Sequence, residues 1–158
     1  MSTGKELLEV SPEEDMIRLV NLNELIHQAL KPFMVAGRNK DVIVRCSDMP
    51  FLKGDRDLVR GALNDLVRMM MQAPGSSKRF LHVKCRELPP VTRHRPDFSA
   101  FLIEFHTNLY TDTNWKQLHQ ETIISCQERL LTCNAKLMVH DLLTSGCLFS
   151  ISLQGKIL

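Results

Sequence analysis

The chain has 158 residues, of which 44% are hydrophobic and 24% are charged, and its net charge is +2. These values are typical of one globular domain with a sizeable core. They exclude wholesale disorder, and the balanced charge does not indicate a nucleic-acid-binding or membrane surface. No apolar run is long enough to span a bilayer, and the N-terminus lacks the hydrophobic core of a signal peptide, so we expect a cytoplasmic protein.

The first elements along the chain are a polar lead-in, a helix and a strand. Residues 1–15 include an acidic "SPEED" stretch, and we expect them to be a flexible lead-in to a single domain over residues 16–158. The segment that starts at Leu22 predicts an amphipathic helix, and Asn21 and Asn23 are both suited to cap it. "DVIVRCS" is rich in β-branched residues and predicts a strand. The apolar stripe of the helix consists of Leu22, Leu25, Ile26, Ala29, Leu30 and Phe33.

A second helix is predicted over "GDRDLVRGALNDLVRMMMQA", residues 54–73, with Asp55 as its cap. Its apolar residues cover more than half of the helix circumference, so we expect burial on more than one side. They are Leu58, Val59, Ala62, Leu63, Leu66, Val67, Met69 and Met70. The remaining strip is polar and carries Arg56, Arg60, Asn64 and Arg68.

The second half of the chain predicts two hairpins with a helix between them. "RFLHVKCREL" and "FSAFLIEFHTN" are separated by a proline-rich loop, and "AKLMVHDLL" and "CLFSISLQGKI" by "TSG". Between the hairpins we expect a polar link, "YTDTNWKQLHQ", and then a helix over "ETIISCQERLLTCN". This order predicts an α/β (α+β) two-layer sandwich with a mixed, largely antiparallel sheet and helices on one face.

The cysteines and histidines do not form a recognisable chemical site. The cysteines are odd in number, scattered, and mostly set in apolar segments, which predicts reduced, buried thiols, Cys126 and Cys133 among them. The histidines are spaced too widely for a metal motif, so we expect no bound metal. The five cysteines are Cys46, Cys85, Cys126, Cys133 and Cys147.

The order of these elements and their local sequences resemble those of the ATP-binding domain of sensor histidine kinases over residues 19–154. This is the Bergerat fold of the GHKL superfamily, shared with gyrase, heat-shock chaperone and mismatch-repair ATPases. "VNLNELIHQAL" resembles the first helix of that domain, "GDRDLVRGALNDLVRMM" its central N-box helix, and "CLFSISL" its closing strand. The resemblance implies a histidine kinase ATPase-like fold and a nucleotide site along the central helix.

The N-box positions that the resemblance implies are altered. In the family, two polar residues four positions apart act on water or phosphate and on Mg²⁺, which needs oxygen ligands. Here they fall on Asp65 and Met69, and a thioether is a poor ligand for a hard cation. A register shifted by one residue gives Asn64 and Arg68, which is no better for a cation.

Two glycine-rich elements of the family are also missing. At the Asp-x-Gly-x-Gly motif that recognises adenine, this chain has Thr107 and Asn108, and no glycine follows. "NWKQLHQET" replaces the second glycine-rich box, and the link from Asn108 to Glu121 is short for an ATP lid. We therefore predict that ATP is not bound in the family's way and that the methionines at 69–71 fill the volume of the nucleotide.

His27, Trp115 and the basic segment at 93–95 each allow a functional and a purely structural interpretation. His27 opens an H-x-x-x-x-P pattern like a phosphoacceptor box, but Gln28 replaces the usual acid and the predicted helix is short. Trp115 is suited either to anchor a partner or to cover the end of the core. "RHR" at 93–95 is basic, although a solvated loop accounts for it as well.

Three functional hypotheses follow. The first is a degenerate, non-catalytic module of two-component-type signalling, a pseudokinase without cofactor. The resemblance implies as its partner a receiver domain, a kinase or a second copy in a homodimer. From the balanced charge and the lack of a long apolar run we expect no nucleic-acid partner and no membrane span. The exposed arginine strip and the 108–119 link are candidate surfaces. The second is a divergent ATP- and Mg²⁺-dependent kinase or ATPase that acts in trans through Asp65. The third, a histidine phosphotransferase relative, needs a long helical hairpin that is absent from the sequence pattern.

Overall fold

A computed structural model describes residues 19–34, 40–45, 49–71, 79–89, 99–108, 113–141 and 146–156. The predicted lead-in at 1–15, the "RHR" loop and Cys46 lie outside these residues. The described helices are α1 (Leu22–Leu30), which continues into a 3₁₀ turn (Lys31–Phe33), α2 (Arg56–Met71) and α3 (Thr113–Leu131). The strands are β1 (Leu19–Asn21), β2 (Lys40–Arg45), β3 (Phe51–Lys53), β4 (Arg79–Glu87), β5 (Ser99–Thr107), β6 (Lys136–Asp141) and β7 (Cys147–Gly155).

The main sheet is mixed and largely antiparallel, which confirms the predicted fold class. Its strand order is β2-β4-β5-β7-β6, and only the β2–β4 pair is parallel. Both predicted hairpins form, because β4 pairs with β5 and β6 pairs with β7. A separate antiparallel pair of β1 and β3 was not predicted, since strands of three residues are too short to show alternation.

The core lies between the sheet and the helices. Along β5 and β7 the side chains alternate, and one face of the sheet is buried while the other is half-exposed. Both predicted helices of the first half present apolar faces to this core. Asn21 is the cap of α1, because its side-chain oxygen accepts a hydrogen bond from the N–H of Glu24 at 3.2 Å. Pro32 ends the α-helix and leaves the 3₁₀ turn.

The predicted polar link before the third helix is wrong, because α3 already begins at Thr113. Residues 113–120 contain no glycine or proline to interrupt a helix. Trp115 is buried and gives this turn an apolar anchor, while Lys116 pairs with Asp141 of β6. The segment therefore extends the helix to 19 residues.

The C-terminal end of α3 has a left-handed residue at Asn134, with φ of 59°. The N–H groups of Cys133 and Ala135 both donate to the carbonyl of Leu130 at 3.0 Å, and the N–H of Asn134 donates to the carbonyl of Leu131 at 3.0 Å. These bonds satisfy the last two carbonyls of the helix. Among the described residues, no helix is long and apolar enough to cross a membrane.

Candidate functional site

Asp65 lies on α2, where its carboxylate is held by two arginines. Oδ2 accepts a hydrogen bond from Nη2 of Arg129 on α3 at 2.7 Å, and Oδ1 is 3.7 Å from Nη1 of Arg68. The Asp65 side chain is 36% exposed and that of Arg129 is 23% exposed. Because water is partly excluded there, the contact is stronger than an ordinary surface ion pair. Both carboxylate oxygens thus face guanidinium groups.

The Arg129 guanidinium sits in a notch on α2 that Gly61 creates. A Cβ at Gly61 would lie 2.8 Å from Nη1 of Arg129, so a larger residue would displace the guanidinium. On the other side, Nε of Arg129 donates to the carbonyl of Ser125 at 3.2 Å. The glycine in the middle of the helix therefore has a packing role, which offsets its low helix propensity.

The second N-box position is in the core. Met69 is 5% exposed, and Met70 and Met71 are fully buried beside it. Asp65 and Met69 are four residues apart on one helix, yet the first faces the α2–α3 groove and the second is in the hydrophobic core. Asn64, from the shifted register, is half-buried on α2, and Arg68 is exposed.

The residues at the adenine position end strand β5. Thr107 is fully buried, and among the described residues its hydroxyl has no hydrogen-bond partner. Its cross-strand neighbour is Cys147, and Gly146, with φ of 107°, approaches so closely that a Cβ there would collide with the carbonyl oxygen of Thr107. Oδ1 of Asn108 accepts a hydrogen bond from the N–H of Phe80 at 3.2 Å, which holds Asn108 against the first residues of β4.

Trp115 packs inside the domain. Its ring centroid lies 4.6 Å from that of His119 and 6.3 Å from that of Phe149 on β7, in an edge-to-face arrangement. The indole thus covers the core between α3 and the sheet, as one of the two sequence interpretations predicts. The other interpretation, a surface anchor, is wrong because the side chain is buried.

The thiols of Cys126 and Cys133 are buried, as predicted. The Cys126 thiol donates to the carbonyl of Ala62 at 3.4 Å. Burial raises the pKa of Cys126 from 9.0 to about 11, although the nearby Arg129 opposes that change. A thiol with so high a pKa is a poor nucleophile at neutral pH. The described residues also contain no group of three His, Cys, Asp or Glu side chains placed to hold a metal ion.

His27 and the arginine strip have local partners. Nδ1 of the exposed His27 donates to the carbonyl of Asn23 at 2.7 Å, on a helix of nine residues. Arg56 pairs with Glu24 at 3.2 Å. Arg60 pairs with Asp57 at 2.8 Å. The strip predicted as a candidate partner surface is therefore largely neutralised by carboxylates of its own helix and of α1.

Arg129 is the residue of this site that the sequence did not indicate. It is 64 positions away from Asp65, and the two meet only because α2 packs against α3. The available signal was weak: a glycine in the middle of an otherwise strong helix, at position 61, is consistent with a close approach of another side chain.

Comparisons with known proteins agree on the architecture. No protein-family model matches the sequence, and no curated protein matches it significantly. Solved structures do match. A mycobacterial sensor histidine kinase, MprB, has a TM-score of 0.64 at 14% identity, and the match covers 89% of this chain and 99% of that one. The ATP-binding domain of PrrB from Mycobacterium tuberculosis gives 0.65 at 12% identity, covering 88% and 97%. This chain has the fold of a histidine kinase ATP-binding domain.

A third structure, a nucleotide-free catalytic domain of histidine kinase ThkA, gives 0.62 at 13% identity over 87% of this chain and 95% of that one. The histidine kinase fold therefore accounts for nearly all of the described elements. Of the positions where the resemblance predicts nucleotide contacts, Asp65 is ion-paired and Met69 and Thr107 are buried. In this arrangement the three side chains contribute to packing and to an internal ion pair.

Proposed function

We propose that this chain is a degenerate, non-catalytic histidine kinase-like domain that acts as a protein-interaction or regulatory module in two-component-type signalling. The partner is a receiver domain, a kinase or a second copy of the chain, and the setting is the cytoplasm. The fold supports the kinase-like part of the proposal. The side chains at the nucleotide positions support the non-catalytic part.

The observation that carries the proposal is the ion pair between Asp65 and Arg129. A carboxylate acts as a ligand for Mg²⁺ or as a general base only when its oxygens are free to face a cation or a water molecule. Here an internal guanidinium lies 2.7 Å from one oxygen, where a cation or a polarised water would otherwise bind. The protein thus supplies its own positive charge to this carboxylate.

Met69 and Thr107 support the same proposal independently. Magnesium and phosphate need polar ligands, and the side chain of Met69 lies in the hydrophobic core with a thioether as its only heteroatom. Recognition of adenine by the family's carboxylate needs an accessible acceptor, and the Thr107 hydroxyl is fully buried. Both positions contribute to the core of this domain.

The alternative function is a divergent ATP-dependent kinase or ATPase acting in trans through Asp65. One observation favours it: the Asp65 side chain keeps 36% exposure, so it is within reach of solvent beside the half-buried Asn64. Turnover would require Arg129 to leave the carboxylate, and the substitution Arg129→Met would then increase nucleotide binding.

Calorimetry of the full chain with MgATP and MgADP tests the proposal. We expect no heat of binding and no change in melting temperature at millimolar nucleotide, for the wild type and for Arg129→Met. A ligand present at 100 times its Kd stabilises a fold by about 2.7 kcal/mol, so micromolar binding would be evident as a shift of several degrees. An active histidine kinase catalytic domain serves as the positive control, and micromolar binding by the wild type would overturn the non-catalytic assignment.

A further inference from the structure

The half-exposed face of the sheet carries a cluster of three rings on β4 and β5. His82 on β4 is the direct cross-strand partner of His106 on β5, and their ring centroids are 6.2 Å apart. Phe80 packs beside both, with its ring 4.8 Å from that of His82 and 5.4 Å from that of His106. All three side chains are half-buried. The two imidazoles are therefore neighbours on one surface, and both keep contact with solvent.

The hairpin of β4 and β5 brings these two histidines together, although they are 24 positions apart in the sequence. Metal motifs that are visible in a sequence place their histidines within a few residues of each other, so this pair did not indicate one. Residues directly opposite each other in an antiparallel pair have Cβ atoms about 5 Å apart, which lets both side chains reach one ion. His82 and His106 meet this condition.

The separation of the two rings fits a single bound ion. An imidazole nitrogen binds Zn²⁺ at about 2.1 Å, which places the ring centroid about 3.2 Å from the metal. Two such rings have centroids about 5.2 Å apart at a tetrahedral angle and about 6.4 Å apart on opposite sides of the ion. The observed 6.2 Å lies within this range, near its upper end. A tetrahedral site needs the rings to approach by about 1 Å, which a small rotation of each side chain provides.

The surroundings of the pair favour an ion. Phe80 packs against both imidazoles and restricts their rotation, which lowers the entropy lost when they turn towards one ligand. In the next cross-strand row of this face Lys84 lies opposite Glu104, and Nζ and Oε1 of these side chains are 4.0 Å apart. These opposite charges balance each other, so this row adds no net charge beside the histidines.

The other described histidines are placed differently. His140 lies in the same cross-strand row of the sheet, but Leu148 separates it from His106. Nε2 of His140 is 3.2 Å from the hydroxyl oxygen of Ser150, so this ring already has a hydrogen-bond partner. In the part of the chain that the structure describes, the two remaining histidines lie singly on α1 and α3. The row therefore offers one adjacent pair and one separate histidine for comparison.

We infer that His82 and His106 form a binding site for a divalent transition-metal ion, with Zn²⁺ as its simplest probe. Neutral imidazole suits Zn²⁺, Cu²⁺ and Ni²⁺, whereas Mg²⁺ and Ca²⁺ take oxygen ligands. Zn²⁺ is usually four-coordinate, so two protein ligands leave two positions for water or for another molecule. The inference goes beyond the proposed signalling role and does not rest on it.

The test is a titration of the full chain with Zn²⁺, followed by NMR spectra of the histidine rings and by calorimetry. Of the six histidines, two should shift together and saturate at one equivalent of Zn²⁺, and excess EDTA should reverse the change. His82→Gln and His106→Gln should each remove one of the two shifting rings. Each should also weaken binding at least about ten-fold, because a single imidazole then holds the ion without the second one.

His140→Gln is the matched control, because it removes a half-buried histidine from the same row and the same face of the sheet. It should leave the affinity for Zn²⁺ unchanged. Melting temperatures in EDTA show whether each variant is folded, and added Zn²⁺ should raise the melting temperature of the wild type and of His140→Gln only. The spectrum of the wild type needs no variant, so the number of shifting histidines decides the question even where a substitution impairs folding.

A wild-type spectrum in which Zn²⁺ shifts one histidine or none would overturn the inference. So would an affinity that His82→Gln and His106→Gln leave unchanged, since thiols or scattered side chains would then hold the ion. An equal loss of affinity in His140→Gln would also overturn it. None of these readouts involves a nucleotide or a protein partner, so metal binding and the proposed function fail separately.

Discussion

The contact between Asp65 and Arg129 is the observation that carries the proposed function. Replacing Arg129 with Met leaves a half-exposed carboxylate with only the more distant Arg68. Because charged hydrogen bonds that are partly shielded from water contribute more than surface pairs, we expect Arg129→Met to cost about 1–2 kcal/mol of unfolding free energy. Arg68→Met, which removes a contact of 3.7 Å from an exposed site, should cost less than about 0.5 kcal/mol.

Urea unfolding measures both values, and a cycle with Asp65→Asn isolates the Asp65–Arg129 term. We expect a coupling free energy of about 1 kcal/mol between these two residues. Additive effects of Asp65→Asn and Arg129→Met would contradict the contact as a stabilising pair. Additive effects would also remove the main support for the proposal that Arg129 blocks the Asp65 carboxylate.

Cys126 gives the fold a dependence on alkaline pH. Burial raises its pKa from 9.0 to about 11, so the folded state holds the thiol proton more tightly than the unfolded state does. Its contribution to stability is therefore fully present below pH 9 and is lost as the pH rises towards 11. At pH 10 the loss is about 1.4 kcal/mol relative to pH 8.

The measurement is urea unfolding of the wild type and of Cys126→Ala at pH 8, 9 and 10. The variant lacks this thiol, so the difference in stability between the two proteins should narrow by about 1.4 kcal/mol at pH 10. The comparison removes the contribution of other groups that titrate in the same range. Parallel curves for the two proteins would show that the thiol does not titrate differently in the two states.

Helices α1 and α2 were predictable from sequence, because each combines a cap with an unbroken apolar pattern. Asn21 and Asp55 both accept hydrogen bonds from the first free N–H groups. The beginning of α3 was not predictable in the same way. The residues of its first turns are mostly polar and show no apolar stripe. Tertiary contacts stabilise the helix there, namely the packing of Trp115 and the pairing of Lys116 with Asp141.

The end of α3 depends on Asn134, whose φ of 59° is left-handed. Asparagine tolerates this conformation, whereas a Cβ-bearing residue without a local polar group costs about 1–2 kcal/mol there. We expect Asn134→Ala to destabilise the domain by about 1 kcal/mol and Asn134→Gly to be neutral or slightly stabilising. Thermal and urea unfolding give the comparison. Equal effects of alanine and glycine would mean that the helix end does not need the left-handed residue.

At the scale of the whole molecule, the fold was predictable and the state of the site was only partly so. Apolar and polar residues alternate along β4, β5 and β7, and this local pattern was enough to predict the two-layer sandwich. That Met69 replaces a polar ligand was also visible in the sequence. The pairing of Asp65 with Arg129 was not visible, because the two residues are 64 positions apart and the periodicity of a sequence reports only local structure.

Met69 tests whether the nucleotide position has become part of the core. Met69→Asn restores the residue type that the family pattern needs, but it places an amide among apolar side chains at a position that is 5% exposed. We expect a loss of about 2–4 kcal/mol of unfolding free energy, from lost packing and an amide without a partner.

The matched control is Leu58→Asn on the same helix, which should cost less than about 1 kcal/mol because Leu58 is exposed. Calorimetry with MgATP accompanies urea unfolding of both variants, and neither variant should bind nucleotide. A folded Met69→Asn variant of wild-type stability that binds MgATP would show that a polar site persists around α2. Destabilisation without binding would mean that the domain uses this volume for its core and would leave Asp65 and Arg129 as a structural pair.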